Sequence, residues 1–262
     1  MLEPLMAIDF SRVLASLALV VLAGLLSYWQ KAGLGKDLVM ATVRSFIQLI
    51  AIGYALELIF DLDSIAWTLA LIGVMLSIAA YTSAQRGEGI PNVLAITTAS
   101  IGIGTVLTVG LLVALGVFEF KAQFIIPIAG MVIGNTMTTC SLVMIRMRDD
   151  VRDQRDRIET ALALGATGRQ AVQPVVQRAV RSAMSPIIDT TKTVGLIKLP
   201  GAMTGMILAG ASPLEAVQLQ MIVMYMLVGA TAFTGLAAAY FTSQVFFTRY
   251  HQLVLPNTGS TS

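Results

Sequence analysis

The chain has 262 residues, of which 56% are hydrophobic and only 12% are Asp, Glu, Lys or Arg, and its formal net charge is +2. The charged share is about half of that in a typical globular domain, which excludes an ordinary cytosolic protein, and the high hydrophobicity excludes a disordered chain. One Cys and one His exclude a disulfide framework and a Cys/His zinc site. The composition therefore predicts an all-α, polytopic membrane protein.

Seven runs of mostly apolar residues follow one another along the chain, and each is long enough to cross a bilayer as a helix. The runs are continuously apolar rather than alternating, which favours helices over transmembrane strands. Pro91 and Pro213 lie at two of the polar breaks between runs. No internal repeat is visible, so we predict a single transmembrane domain over residues 1–262. Its spans lie near residues 10–30, 38–60, 64–84, 93–116, 122–145, 186–211 and 217–247.

A polar stretch, 146–181, interrupts this pattern and contains eight arginines. The positive-inside rule places it in the cytoplasm, so that seven spans put the N-terminus outside and the C-terminus inside. Twelve of the 17 basic residues then lie on the cytoplasmic side of what we expect to be the inner (plasma) membrane. The first part of the stretch is predicted to be a solvated extension of the fifth span, with i,i+4 ion pairs Arg152–Asp156 and Asp153–Arg157.

The second part of this stretch begins with a short apolar helix over 159–168. This helix is ended by Gly, a residue suited to a left-handed C-cap, and a second helix is predicted to start near Arg169 and to bend at Pro174. A mostly apolar helix between charged segments at the membrane surface is costly to leave in water. We therefore interpret it as a docking site for another protein, with packing inside this chain as the alternative.

The pattern Glu159-x-Ala161-x-x-x-Gly165 resembles the E-A-A-x-x-x-G loop of ABC transporter permeases, which forms a coupling helix that fits a groove on the nucleotide-binding subunit. The family has Ala at the second position, where this chain has Thr160. The whole chain resembles the FetB-type iron-export permeases, relatives of the plant aluminium-tolerance permeases. The resembling blocks are MVIGNTMT at 131–138, ETALALGAT at 159–167 and LPGAMTGMILAGASP at 199–213.

The resemblance implies the membrane subunit of an ATP-driven exporter of iron or another metal ion. This chain has no phosphate-binding G-x-x-x-x-G-K-[ST] motif, so we expect no cofactor in it, and ATP and Mg²⁺ are expected on a separate ATPase subunit. One coupling segment per chain and two ATPase subunits per transporter imply a homodimer in the lipid bilayer, with no nucleic-acid partner and no enzymatic activity of its own. Within a cytoplasmic coupling region over 146–185, the residues expected to contact the ATPase are Glu159, Ala161, Leu162, Leu164, Gly165, Ala166 and Thr167.

Polar groups inside the spans are candidates for the transport pathway, because they are costly in lipid and usually face the bundle interior or a wet cavity. Two copies of Glu57 facing a dimer axis are a candidate metal site. For each candidate a structural role is the alternative, such as bonding between helices or a surface position. The candidates are Glu57, Gln48, Asn135, Thr138, Asp189 and Lys192.

The sixth predicted span has two further features. Asp189 and Lys192 are three residues apart and are expected to pair near its cytoplasmic mouth. Beyond them, Pro200, Gly201 and Gly205 predict a break in the helix, which is a candidate gate or a close helix contact.

Three other functions are weighed against metal export. Arg44 and Lys192 suit phosphate groups, so a small anionic or sugar-nucleotide substrate is the alternative within the same transporter class. An ATPase-independent secondary transporter would need no docking helix. An intramembrane enzyme is disfavoured, since the sequence has neither metal-ligand spacing nor a convincing catalytic pair.

Overall fold

The computed structural model describes residues 10–31, 33–62, 64–248, 250 and 252–254. These residues form nine α-helices and, apart from two isolated bridges, no β-structure, which confirms the predicted all-α membrane fold. The helices are α1 (Phe10–Trp29), α2 (Gly35–Leu62), α3 (Ile65–Arg86), α4 (Val93–Ala114), α5 (Ala122–Asp153), α6 (Arg155–Ala163), α7 (Gly168–Thr193), α8 (Gly201–Leu208) and α9 (Pro213–Val245).

The contacts divide the chain into two compact units, Met1–Asp63 and Ser64–Ser262. In the first unit α1 and α2 pack against each other. The second unit is a bundle in which α5 contacts α3, α4, α7 and α9. Helix α5 forms the centre of this bundle because it buries residues along its whole length, from Ala122 to Val151.

Five of the described helices are long and apolar enough to cross a membrane, and a shorter apolar helix covers Ala15–Trp29. The predicted sixth span over 186–211 is not one helix, because α7 ends at Thr193 and α8 begins only at Gly201. Two residues explain the interruption. Pro200 lacks an N–H group and disfavours helical backbone at the residue before it, and Gly195 adopts a φ of +82°.

Helices α4 and α9 approach each other closely at Gly104. A Cβ atom at this position would overlap Thr234 Oγ1 and lie 3.1 Å from the carbonyl oxygen of Ala230. The absence of a side chain at Gly104 therefore sets the spacing of the two helices.

We expect Gly104→Ala to destabilise the folded bundle by about 1–3 kcal/mol, because overpacking forces a stiff buried threonine and backbone apart. Gly110→Ala is the matched control, since it makes the same change on the same helix where a Cβ would meet nothing within 4 Å. Thermal unfolding in detergent should lower the midpoint for Gly104→Ala only. Equal midpoints for the two variants would contradict the close α4–α9 contact.

Candidate functional site

The short helix α6 and the start of α7 form an elbow, residues 155–170, next to the arginine-rich part of the chain. One side of α6 is anchored, because Ile158 is 2% exposed and belongs to the hydrophobic core of the second unit. Leu162 packs against the same core. The elbow is therefore held by the bundle on one side and exposed on the other.

Gly165 ends α6 with a left-handed turn. Its φ is +92°, its N–H donates to Leu162 O at 3.0 Å, and the N–H of Ala166 donates to Ala161 O at 3.0 Å. These two bonds form a Schellman motif, which pairs carbonyl groups that would otherwise be unsatisfied at the helix end. A glycine thus ends the helix as predicted, but the helix covers Arg155–Ala163 rather than 159–168, and the left-handed residue is Gly165.

The next helix starts with a capping box. Thr167 Oγ1 accepts from the N–H of Gln170 at 3.3 Å, and Gln170 Oε1 accepts from the N–H of Thr167 at 2.9 Å. Helix α7 therefore begins at Gly168, one residue before the predicted start. The T-x-x-Q pattern signals this cap, and the sequence analysis missed it.

The elbow presents an exposed surface at its tip. Leu164 is 84% exposed, an unusual position for a large apolar side chain. Of the seven predicted coupling residues, three are half-buried and four are exposed. The half-buried ones are Ala161, Leu162 and Ala166, and the exposed ones are Glu159, Leu164, Gly165 and Thr167.

Glu159 forms an ion pair within α6. Its Oε1 lies 2.8 Å from Arg155 Nε, and both side chains remain about half accessible. The hydrogen bond that Arg155 donates to Glu159 raises the pKa of the Arg155 guanidinium above its ordinary value. The exposed surface of the elbow therefore carries both an apolar residue and a paired carboxylate.

The predicted ion pairs Arg152–Asp156 and Asp153–Arg157 are wrong, since the four ion pairs within the described residues do not include them. The reason is that α5 ends at Asp153, and Gln154 leaves helical geometry with φ −109° and ψ 22°. Residues on the two sides of this break no longer share a helix face.

Two arginines fix the arginine-rich end of the bundle. Arg178 Nε on α7 lies 3.3 Å from Asp150 Oδ2 on α5. Arg148 Nη1 donates to the carbonyl oxygen of Glu88, between α3 and α4, at 3.0 Å. These partners are 28 and 60 residues away along the chain, so no local sequence pattern signals them.

The polar residues of α5 bond to their own helix. Asn135 Nδ2 donates to Met131 O at 2.8 Å, and Thr138 Oγ1 donates to Gly134 O at 3.1 Å. Asn135 is half-buried and Thr138 is exposed. Both of these bonds stay within α5, and Thr138 faces outward from this chain.

The predicted pairing of Asp189 with Lys192 is wrong. Asp189 Oδ2 accepts a hydrogen bond from Ser185 Oγ at 3.3 Å, and Lys192 is in none of the ion pairs of the described residues. Both side chains are exposed. They lie in the last two turns of α7.

The break between α7 and α8 borders a pocket of about 350 Å³, lined among others by Thr191, Met203, Gln220 and Met224. Pro200 is the N-cap of α8, Gly201 is its first residue, and Gly205 lies inside it. Within the described part of the chain, the buried Oε1 atom of Gln220 has no hydrogen-bond partner. A buried acceptor without a partner is costly, so this pocket suits a water molecule or a ligand.

In the first unit, Gln48 and Arg44 line a mostly apolar groove of about 1050 Å³ between α1 and α2. Glu57 is exposed near the end of α2. No group of three or more His, Cys, Asp or Glu residues that could hold a metal occurs among the described residues of one chain.

Residues 10–247 match the family described as "Uncharacterised protein family (UPF0014)". The chain belongs to this family. It is 48% identical over 242 residues to the UPF0014 membrane protein STAR2 of Oryza sativa subsp. japonica, covering 92% of this chain and 85% of that protein. It is 46% identical to the protein ALUMINUM SENSITIVE 3 of Arabidopsis thaliana, covering 91% and 88% of the two chains.

A bacterial member of UPF0014 carries a functional name. The chain is 35% identical over 240 residues to the "Probable iron export permease protein FetB" of Escherichia coli, covering 92% of this chain and 93% of that protein. No solved structure matches the chain. Membership of the family confirms the resemblance on which the expectation of a multi-pass permease rests.

Proposed function

We propose that this UPF0014 protein is the membrane subunit of an ABC transporter that exports iron or another metal ion. ATP and Mg²⁺ are bound by a separate ATPase subunit, and this chain couples ATP hydrolysis to transport. The observation that carries the proposal is the elbow, whose apolar tip at Leu164 projects from a helix anchored by Ile158. An anchored, exposed apolar helix at the membrane surface is suited to insert into a groove of a soluble partner.

The proposal places the elbow and the C-terminus in the cytoplasm and the N-terminus outside, in the inner (plasma) membrane. The arginines of 146–181 support this orientation through the positive-inside rule. ATP is cytoplasmic, so the ATPase must meet the elbow on that side.

The working transporter is proposed to be a homodimer. Each chain supplies one elbow, and two ATPase subunits closing on ATP would draw the two elbows together and switch the access of the pathway. Two copies of Glu57 then supply carboxylate oxygens for a metal ion in transit.

A specific observation favours an anionic substrate as the second candidate. Arg44 lines the groove between α1 and α2, and Lys192 is exposed in the last turns of α7. Each of these cations, taken by itself, suits the phosphate of a small anionic or sugar-nucleotide substrate.

The elbow is tested most simply by Leu164→Ala. We expect this change to weaken binding of a co-expressed ABC ATPase subunit from the same genome by about 10- to 100-fold, because a central apolar anchor contributes disproportionately to an interface. The fold should be unaffected, since Leu164 is 84% exposed. Affinity is measured by titrating the ATPase onto the purified permease.

Leu196→Ala is the matched control, since Leu196 is 87% exposed and lies between α7 and α8, away from the elbow. It should leave the affinity unchanged. Equal affinities for wild type and Leu164→Ala would remove the elbow from the ATPase interface.

A further inference from the structure

Helix α7 runs antiparallel to α9 over almost its whole length. At its start, a Cβ atom at Gly168 would lie 2.7 Å from the ring of Phe247, just beyond the end of α9. At its other end, Thr191 shares a pocket with Gln220, in the third turn of α9. Because α9 is long and apolar enough to span a membrane, α7 must enter the same layer.

The ion pair between Arg178 and Asp150 gives the depth to which α7 enters. Asp150 lies five residues beyond Ile145, where the apolar part of α5 ends. Five residues along α7 from Arg178 is Ala183, which therefore lies at about the same depth in the membrane as Ile145. The rest of α7, to Thr193, then extends about 15 Å, or half of a hydrocarbon layer about 30 Å thick.

This part of α7 has two different faces. Ala183 and Ile187 are buried against the bundle, whereas Ser185, Asp189 and Lys192 are exposed. The polarity of the exposed face explains why α7 is not among the five candidate spans. A charged side chain at the centre of a membrane helix costs about 2.5–3.5 kcal/mol even on insertion scales, so this face does not contact lipid.

A second copy packed directly on this face is also unfavourable. In a homodimer with its twofold axis along the membrane normal, residues of equal depth face each other. Asp189 and Lys192 of both copies would then lose their water together, and this desolvation penalty can exceed the attraction between opposite charges. Water between the two faces removes this cost.

We propose that the exposed face of α7 over Ser185, Asp189 and Lys192 is the wall of a water-filled cavity. The cavity enters the membrane from the arginine-rich end and stops at the break between α7 and α8. There it meets the Oε1 atom of Gln220, which has no hydrogen-bond partner among the described residues. Discontinuous helices that end near the middle of the bilayer commonly border the cargo site of a transporter. The proposal rests on the transport function proposed above. It adds that the hydrated cargo passes along this face of α7.

Thiol accessibility in the membrane tests the proposal. In a Cys140→Ala background, single cysteines replace Ser185 and Lys192 in the full chain in lipid vesicles. A charged, membrane-impermeant methanethiosulfonate is the probe, because it reacts only with a hydrated, ionised thiol. Val74→Cys and Val106→Cys are the controls, since these residues are 54% and 68% exposed on the apolar helices α3 and α4.

We expect the two α7 thiols to react at least about tenfold faster than the two controls, because an apolar environment suppresses the thiolate. Ala183→Cys, on the buried face of α7, should also react slowly. Rates at 185 and 192 no faster than those of the controls would overturn the proposal. Protection in the membrane followed by reaction in monomeric detergent micelles would also overturn it, because it would show direct protein packing.

Two features keep the test decisive. Ser185→Cys exchanges one oxygen for sulfur at an exposed site, so it carries the result if Lys192→Cys fails to fold. Binding of the ATPase subunit to the same labelled variants is measured separately. Slow labelling of variants that bind the ATPase normally would contradict the cavity alone. Failure of the wild-type protein to bind the ATPase would contradict the proposed ABC function.

Discussion

Glu159→Lys is expected to abolish co-purification with the ABC ATPase subunit, while the permease still inserts in the membrane. Glu159 is exposed on the elbow, and its carboxylate pairs with Arg155 at 2.8 Å. The substitution replaces this pair with two like charges and reverses the local charge presented to the partner. Truncating one member of a charge pair that is buried at an interface costs about 2–5 kcal/mol, so we expect affinity to fall by about 30-fold or more.

Two controls separate a role in docking from a role in the stability of α6. Glu88→Lys makes the same charge change in the α3–α4 turn, which Arg148 ties to the arginine-rich end of the bundle, and it should leave binding intact. The double variant Arg155→Glu/Glu159→Arg keeps an ion pair on α6 but reverses its polarity. It should restore binding if the pair only stabilises α6, and it should fail if Glu159 meets the ATPase. Normal co-purification of Glu159→Lys would remove Glu159 from the docking surface.

Gly165→Val is expected to uncouple ATP hydrolysis from transport. Gly165 has a φ of +92°, and no atom lies within 4 Å of the position that a Cβ would take. The substitution therefore acts through backbone strain alone. A residue with a Cβ in left-handed geometry costs about 1–2 kcal/mol, and a β-branched residue costs more. The Schellman motif would open, and Leu164 would lose its position at the tip of the elbow.

Gly165→Asn is the matched comparison, because Asn tolerates left-handed backbone while adding a side chain of similar size. ATPase activity of the reconstituted complex should remain linked to cargo transport in Gly165→Asn and lose that link in Gly165→Val. Similar behaviour of the two variants would show that the left-handed turn has no part in coupling.

The membrane fold and the elbow follow from local features of the sequence. Continuous apolar runs predict the spanning helices, and Gly165 predicts the end of α6 because few other residues adopt its φ. Pro200 similarly predicts a break in the sixth span. Each of these signals acts within a few residues of the structure that it determines.

The course of α7 could not be predicted in the same way. A window over Gln177 to Lys192 averages a buried apolar face with an exposed polar one, so hydropathy gives no span there. The depth of α7 depends on Arg178 meeting Asp150 and on Gly168 meeting Phe247, which are contacts between distant parts of the chain. The pairing of Asp189 with Lys192 was plausible from spacing alone, but Ser185 provides Asp189 with another partner.

The central claim is that this chain transports only when a separate ATPase drives it through the elbow. The most direct measurement is metal-ion flux in vesicles containing the purified chain, with and without the ABC ATPase subunit and ATP. We predict no flux from the chain alone, and flux only when both the ATPase and hydrolysable ATP are present. Sustained flux from the chain alone would contradict the account.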